Sequence, residues 1–133
     1  RNSSAASDVY KRQFGLLYVF LALNVIRLRF RYRIGYGEGE HGDLIKAVRA
    51  HANFGEYVPM ALILMWIVES MTFSSVLVFW LGAALLVARV LHVFGMLYPK
   101  SMLICRQVGM VVTLAVIVIA SVQLLTFYLP ASI

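Results

Sequence analysis

With 133 residues, 62% of them apolar, only 14% charged and a mean hydropathy of +0.84, the chain is too short for several domains and too apolar for a soluble one. A formal charge of +6 in such a composition points to loops beside anionic lipid and away from nucleic acid as a partner, while the single cysteine, Cys105, excludes a disulfide framework and a thiolate zinc cage. What remains is an all-α polytopic membrane protein, a bundle of four transmembrane helices.

Ser3 to Gln13 read SSAASDVYKRQ, and these eleven residues resemble the in-frame translation of a transposon-based sequencing adapter. Residues 1–13 are therefore set aside as a non-native N-terminal artefact and residues 14–133 are taken as the membrane domain. Without that segment nine Lys and Arg face five Asp and Glu, a net charge of +4. Phe14 to Ile26 is apolar except for Asn24, which is suited to a bond across helices. These thirteen residues fall short of the roughly 20 that a crossing helix needs, so the first helix is read as truncated. Arg27, Arg29, Arg31 and Arg33 follow at alternate positions. On a helix they would spiral around the axis; in a loop they would form a cationic fringe. Two uses are open: anchoring at cytoplasmic headgroups, or a share in binding an anionic ligand.

Gly35, Gly37, Gly39 and Gly42, with Glu38, Glu40, His41 and Asp43 between them, make a polar loop. No strand precedes it, so a dinucleotide fingerprint is discounted. Asp43 is placed as the N-cap of a second span from about Leu44 to Ser70. This span opens on RAHANFGEYVP, Arg49 to Pro59. At 100° per residue, Glu56, Arg49, Asn53, Lys46 and Tyr57 fall within an arc of roughly 100°, and His51 falls outside it. Val58 to Val68 then carry no charge, so the stripe forms a polar wall at the mouth of the bilayer. Ionisable groups at that depth mark a binding or catalytic site, whereas snorkelling would account for Lys46 and Arg49 but not for Glu56. Pro59 lacks an amide proton and is expected to kink the helix, freeing the Gly55 carbonyl to help line the pocket.

Ser70 to Ser75 make a turn without positive charge, and Val76 to Tyr98 form the third span, apolar to Ala88 and then carrying Arg89 and His92. About a turn centred between residues 72 and 73, Glu56 and Arg89 are equidistant, as are Asn53 and His92. In an antiparallel pair these partners reach similar depth, so Glu56 and Arg89 are predicted to neutralise each other. Such a pair serves equally as architecture or as part of a site. Tyr98 to Cys105, with Pro99, Lys100 and Ser101, form a second polar connection; Arg106 follows, and Val108 to Leu129 is free of charge. Every remaining Lys and Arg belongs to the first or third loop or to the helix ends beside them. The positive-inside rule puts those loops in the cytoplasm, both termini outside, and the pocket opening inward.

The stretch RLRFRYRIGYGEGEHGDLIKAVRAHANFGEYVP, the later ARVLH and the basic residue opening the last helix together resemble the membrane-associated proteins in eicosanoid and glutathione metabolism, the MAPEG family, and most of all its short bacterial members. The resemblance covers nearly all of residues 14–129. It implies a four-helix subunit, a homotrimer in a bacterial inner membrane, and glutathione held as co-substrate between neighbouring subunits near the cytoplasmic face. By the same resemblance Arg49, Asn53, Glu56 and Tyr57 correspond to the glutathione-binding stretch, Arg89 and His92 to the third-helix ARxxH pattern, and Arg106 to the arginine that activates the glutathione sulfur. Met96 departs from the family, whose studied members carry a glutathione-contacting Tyr there. As a headgroup anchor, Arg106 would have the plainer role.

The ligand chemistry agrees with the residue types. Glutathione offers two carboxylates, an amine and amides, which call for guanidinium, acid and amide groups in a fixed array. A thiol with a pKa near about 8.5 is a few per cent thiolate at neutral pH, and a fixed cation lowers that pKa. The expected function is a glutathione-dependent transferase or peroxidase acting on lipophilic small molecules. The rival is a non-catalytic lipid-binding or scaffold protein, and a small transporter is a third class. His41, His51 and His92 show no metal-ligand spacing, and no metal is expected. Cys105 is read as inert packing or an acylation target. The remaining Met and aromatic residues are read as lipid-facing or packing surface.

Overall fold

Each apolar run closes on charges or on Gly, Pro and Ser, and each forms one long helix. The computed structural model describes residues 3–72, 75–98 and 103–129, which contain α1 (Ser3–Tyr32), α2 (Gly42–Thr72), α3 (Ser75–Leu97) and α4 (Leu103–Tyr128). Residues 73–74, in the expected turn, and residues 99–102, in the expected connection with Pro99, Lys100 and Ser101, lie outside the described residues. Candidate spans of 25, 30, 22 and 26 residues within these helices exceed the roughly 20 that a bilayer requires. The first, Asp8–Tyr32, is longer than the truncated thirteen-residue run expected from sequence because α1 takes in residues 8–13 and continues through the arginines to Tyr32. Leu16, Phe20, Trp66, Trp80, Val87, Val111, Val118 and Leu125 are exposed around the outside. Water would penalise that surface and hydrocarbon does not, so the chain is an integral membrane protein.

The arginine run is helix rather than loop. α1 continues past Ile26 to Tyr32 and carries Arg27, Arg29 and Arg31. It ends on Arg33, whose φ of 55° is left-handed, with Arg33 N–H bonding Phe30 O at 3.3 Å and Ile34 N–H bonding Arg29 O at 3.1 Å. That is a Schellman closure with an arginine where glycine is usual. Arg29 folds over the end, donating from Nη1 to the Gly37 carbonyl at 2.8 Å. The start of α2 also differs from expectation. The His41 carbonyl accepts the first helical bond, from Ile45 N–H at 3.0 Å, so His41 is the cap. Asp43 lies in the first turn, accepting from Tyr32 Oη at 2.6 Å and Leu44 N–H at 2.9 Å. There its charge faces the positive end of the helix dipole.

Buried positions recur every third or fourth residue: Ala47, Ala50, Phe54, Val58, Ala61, Met65 and Val68 on α2, and Val78, Leu81, Leu85 and Ala88 on α3. α4 contributes Gly109, Thr113, Val116 and Ala120 at the same spacing. α2 and α3 form the middle of the bundle; α1 packs on both, α4 packs on both, and among the described residues α1 and α4 do not meet. Small residues at the crossings let backbones approach, the usual means of helix association where lipid competes equally for apolar surface. α2 runs on through Pro59, and Pro59 faces a shallow apolar groove with Leu62, Ile63 and Trp66. Neither it nor Gly55 lines the polar cleft described below, contrary to the expected role for the Gly55 carbonyl.

Candidate functional site

The direction in which α2 faces its neighbours divides the polar stripe. Its buried residues centre roughly 140° around the helix from Arg49, which leaves Glu56 almost opposite the core and sets Asn53 and Tyr57 at its edge. Accordingly Arg49 and Glu56 are exposed, Asn53 and Tyr57 are half-buried, and Ala50 and Phe54 are buried.

Arg49, Asn53 and Tyr57 form one wall of a cleft of about 490 Å³, His92 and Met96 of α3 its floor, and Arg106, Gln107 and Met110 of α4 the other wall. Five of the seven residues singled out from sequence thus meet in one place. Arg89 lies directly behind them, with 0% exposure. Its Nη2 donates to Asn53 Oδ1 at 2.7 Å and lies 3.4 Å from His92 Nδ1, and its guanidinium carbon sits 5.7 Å from the centre of the Phe54 ring.

The predicted Glu56–Arg89 pair does not form: the partner of Arg89 is Asn53, and Glu56 is exposed. Glu56 misses Arg89 because it points away from α3, on the exposed side of α2. Arg89 Nε and Nη1 are buried without a hydrogen-bond partner. Each such group costs about 1–3 kcal/mol, so the buried guanidinium is an expensive feature of this wall.

Gly109 makes the α3–α4 wall possible. A Cβ there would press on the Ala88 carbonyl and lie 2.8 Å from His92 Cβ, so α4 can approach His92 this closely only without a side chain. Arg106 is three residues earlier, and its Nη1 reaches Met96 Sδ at 3.8 Å. Gln107 and Met110 were not anticipated. The available signal was helical: Met110 is four residues beyond Arg106 and shares its face, which places it at the cleft where its residue type alone allows lipid-facing or packing surface. Because α4 begins at Leu103, Arg106 and Gln107 both fall in its first turns.

The other expected polar residues lie elsewhere. Lys46 joins Arg27 and Arg31 in a separate cleft of about 460 Å³ beside Asn24 and Tyr98. Asn24 accepts from Arg27 Nη2 at 3.0 Å on its own helix, not across helices. His51 packs on Tyr18, ring centres 5.0 Å apart, outside the stripe as its angle indicated. His41 stacks on Tyr32 at 3.7 Å.

The MAPEG family model matches residues 13–126. Over 89 residues the chain is 36% identical to the inner membrane protein YecN of Escherichia coli strain K12, an alignment covering 67% of this chain and 68% of YecN. YecN of Escherichia coli O6:H1 gives the same 36% identity over the same share of each chain.

Proposed function

The chain belongs to the MAPEG family, and from that premise we propose that it is a glutathione-dependent transferase or peroxidase acting on lipophilic electrophiles in a bacterial inner membrane. The observation that carries this reading is the convergence of Arg49, Asn53, Tyr57, His92 and Arg106 on one cleft at the cationic end of an otherwise apolar bundle. Its volume of about 490 Å³ falls within the roughly 300–1,000 Å³ usual for small-molecule sites.

The donor set suits glutathione. The Arg49 guanidinium matches a carboxylate, and the Asn53 amide, the Tyr57 phenol and the His92 imidazole suit its second carboxylate and its peptide groups. Arg106, at the α4 edge, is the cation assigned to the sulfur. A guanidinium held there favours thiolate over thiol, and thiolate is the form that attacks an electrophile dissolved in the adjacent bilayer. Glu56 is the acid assigned to the glutathione amine. It lies on the outer face of α2, as Arg49 does, and this reading completes the site with a second subunit of a homotrimer covering that face. The cationic end, with Arg27, Arg29, Arg31 and Arg33, is assigned to the cytoplasm.

The test uses the full chain purified in detergent. Glutathione binding and conjugation of a model electrophile are measured for the wild type and for Arg106→Ala. Binding with turnover that falls in Arg106→Ala supports the reading; binding without turnover favours a non-catalytic lipid-binding or scaffold protein. Absence of glutathione binding defeats both the transferase and the peroxidase.

A further inference from the structure

Arginine carries hydrogen-bond donors and no acceptors, and this asymmetry propagates into the cleft. Arg89 is fully buried, and its Nη2 bears two hydrogens. One is directed to Asn53 Oδ1, 2.7 Å away, and the other faces His92 Nδ1 at 3.4 Å. Each contact removes an ambiguity. The Asn53 amide can turn either end toward Arg89, but only its oxygen accepts, so the NH2 group is left for the cleft. A neutral imidazole carries its proton on one of two nitrogens. A guanidinium donor at Nδ1 requires a lone pair there, which puts the proton on Nε2.

We infer that Arg89 is a positioning residue that does not touch the ligand: by holding the Asn53 amide and the His92 tautomer, it makes the α2–α3 wall of the cleft a surface of N–H donors. Both residues line the cleft. The group bound against them is therefore an acceptor, a carboxylate or a peptide carbonyl, and not an ammonium or another N–H donor. This also accounts for a buried cation with two unpartnered nitrogens on a helix whose facing acid, Glu56, is turned away. Had the wall been built around an Arg89–Glu56 pair, the orientations of Asn53 and His92 would have been left open. Met96 adds only a thioether, a weak acceptor, whose sulfur lies 3.8 Å from Arg106 Nη1.

The identity of the acceptor rests on the glutathione reading; the tautomer does not, and the experiment separates them. The full chain is labelled with 15N-histidine in lipid nanodiscs, and His92 is assigned by the loss of its signals in His92→Gln. The expected spectrum has a lone-pair shift at Nδ1 and a protonated shift at Nε2, and Arg89→Met averages the two nitrogens toward each other. Asn53→Asp keeps an acceptor for Arg89 but removes the N–H group. It should leave thermal stability equal or higher while weakening glutathione binding tenfold or more, and His92→Gln should lose less affinity than His92→Leu. A proton on Nδ1 of His92, or an unchanged His92 spectrum in folded Arg89→Met, overturns the inference. If Arg89→Met does not fold, Asn53→Asp decides: lower stability with unchanged binding overturns it. A wild type that shows the expected tautomer but binds no glutathione upholds the orientation by Arg89 and defeats the proposed function instead.

Discussion

Gly109 and His92 meet across α4 and α3 with no room for a methyl group between them: a Cβ at position 109 would sit 2.8 Å from His92 Cβ and closer still to the Ala88 carbonyl. Two effects oppose each other in Gly109→Ala. Helix propensity favours alanine by about 1 kcal/mol, whereas overpacking against backbone costs about 1–3 kcal/mol and cannot be relieved by a rotamer change. The clash should win. Thermal unfolding in detergent is expected to show a lower midpoint for Gly109→Ala, and glutathione affinity should fall with it, since Arg106 moves with α4. A higher midpoint would mean that the helices separate without cost.

The end of α1 predicts a change of opposite sign. Arg33 holds a φ of 55°, a conformation that costs an L-residue with a Cβ about 1–2 kcal/mol. Arg33→Gly should raise the unfolding midpoint. Arg33→Ala is the control: it removes the same charge but keeps the Cβ, so it should give no comparable gain. Equal gains in both variants would assign the effect to charge repulsion within the arginine run.

Much of the fold was legible in the sequence, because four uncharged or nearly uncharged runs leave no alternative to spanning helices. The cleft was legible in part. Arg49, Asn53 and Tyr57 announce themselves as a polar stripe, and Arg89 and His92 as polar residues in an apolar span. Glu56 was misplaced because the stripe was read without asking which way α2 faces its neighbours. The recurrence of Ala50, Phe54, Val58, Ala61, Met65 and Val68 holds that information, and it puts Glu56 on the far side. Met110 was hidden among the apolar residues of the last span, although it lies four residues beyond Arg106 on the same helical face, and Gln107 follows Arg106 in the first turns of α4. The alternate spacing of Arg27, Arg29, Arg31 and Arg33 suits helix and loop equally, so the sequence does not decide between them, and most of the run is helical.

Glu69, near the other end of α2, is 3% exposed, and both its carboxylate oxygens are buried without a hydrogen-bond partner. An unsatisfied buried acceptor costs about 1–3 kcal/mol, and methionine fills a similar volume without one. Glu69→Met is therefore expected to raise stability, moving the unfolding midpoint up by roughly 2–8 °C. Nothing in the cleft touches this residue, so glutathione binding should be unchanged. A fall in the midpoint would show that the carboxylate has a structural task that its surroundings do not reveal.

The polar stripe of α2 also yields a comparison between two cations that sequence placed together and the structure separates. Arg49 lines the cleft with Asn53 and Tyr57, while Lys46 faces the neighbouring depression beside Arg27 and Arg31. A charged hydrogen bond to a ligand carboxylate contributes about 1.5–3 kcal/mol, which corresponds to roughly ten- to a hundredfold in affinity. Arg49→Ala should lose that much glutathione binding, measured by calorimetry on detergent-solubilised protein, and Lys46→Ala should lose less than about threefold, the residue of a general electrostatic attraction that salt suppresses. Raising ionic strength separates the two terms, because it should abolish the small Lys46 effect and leave most of the Arg49 effect in place. Equal losses in both variants, vanishing together in salt, would reduce the stripe to a diffuse cationic surface and remove Arg49 from the site.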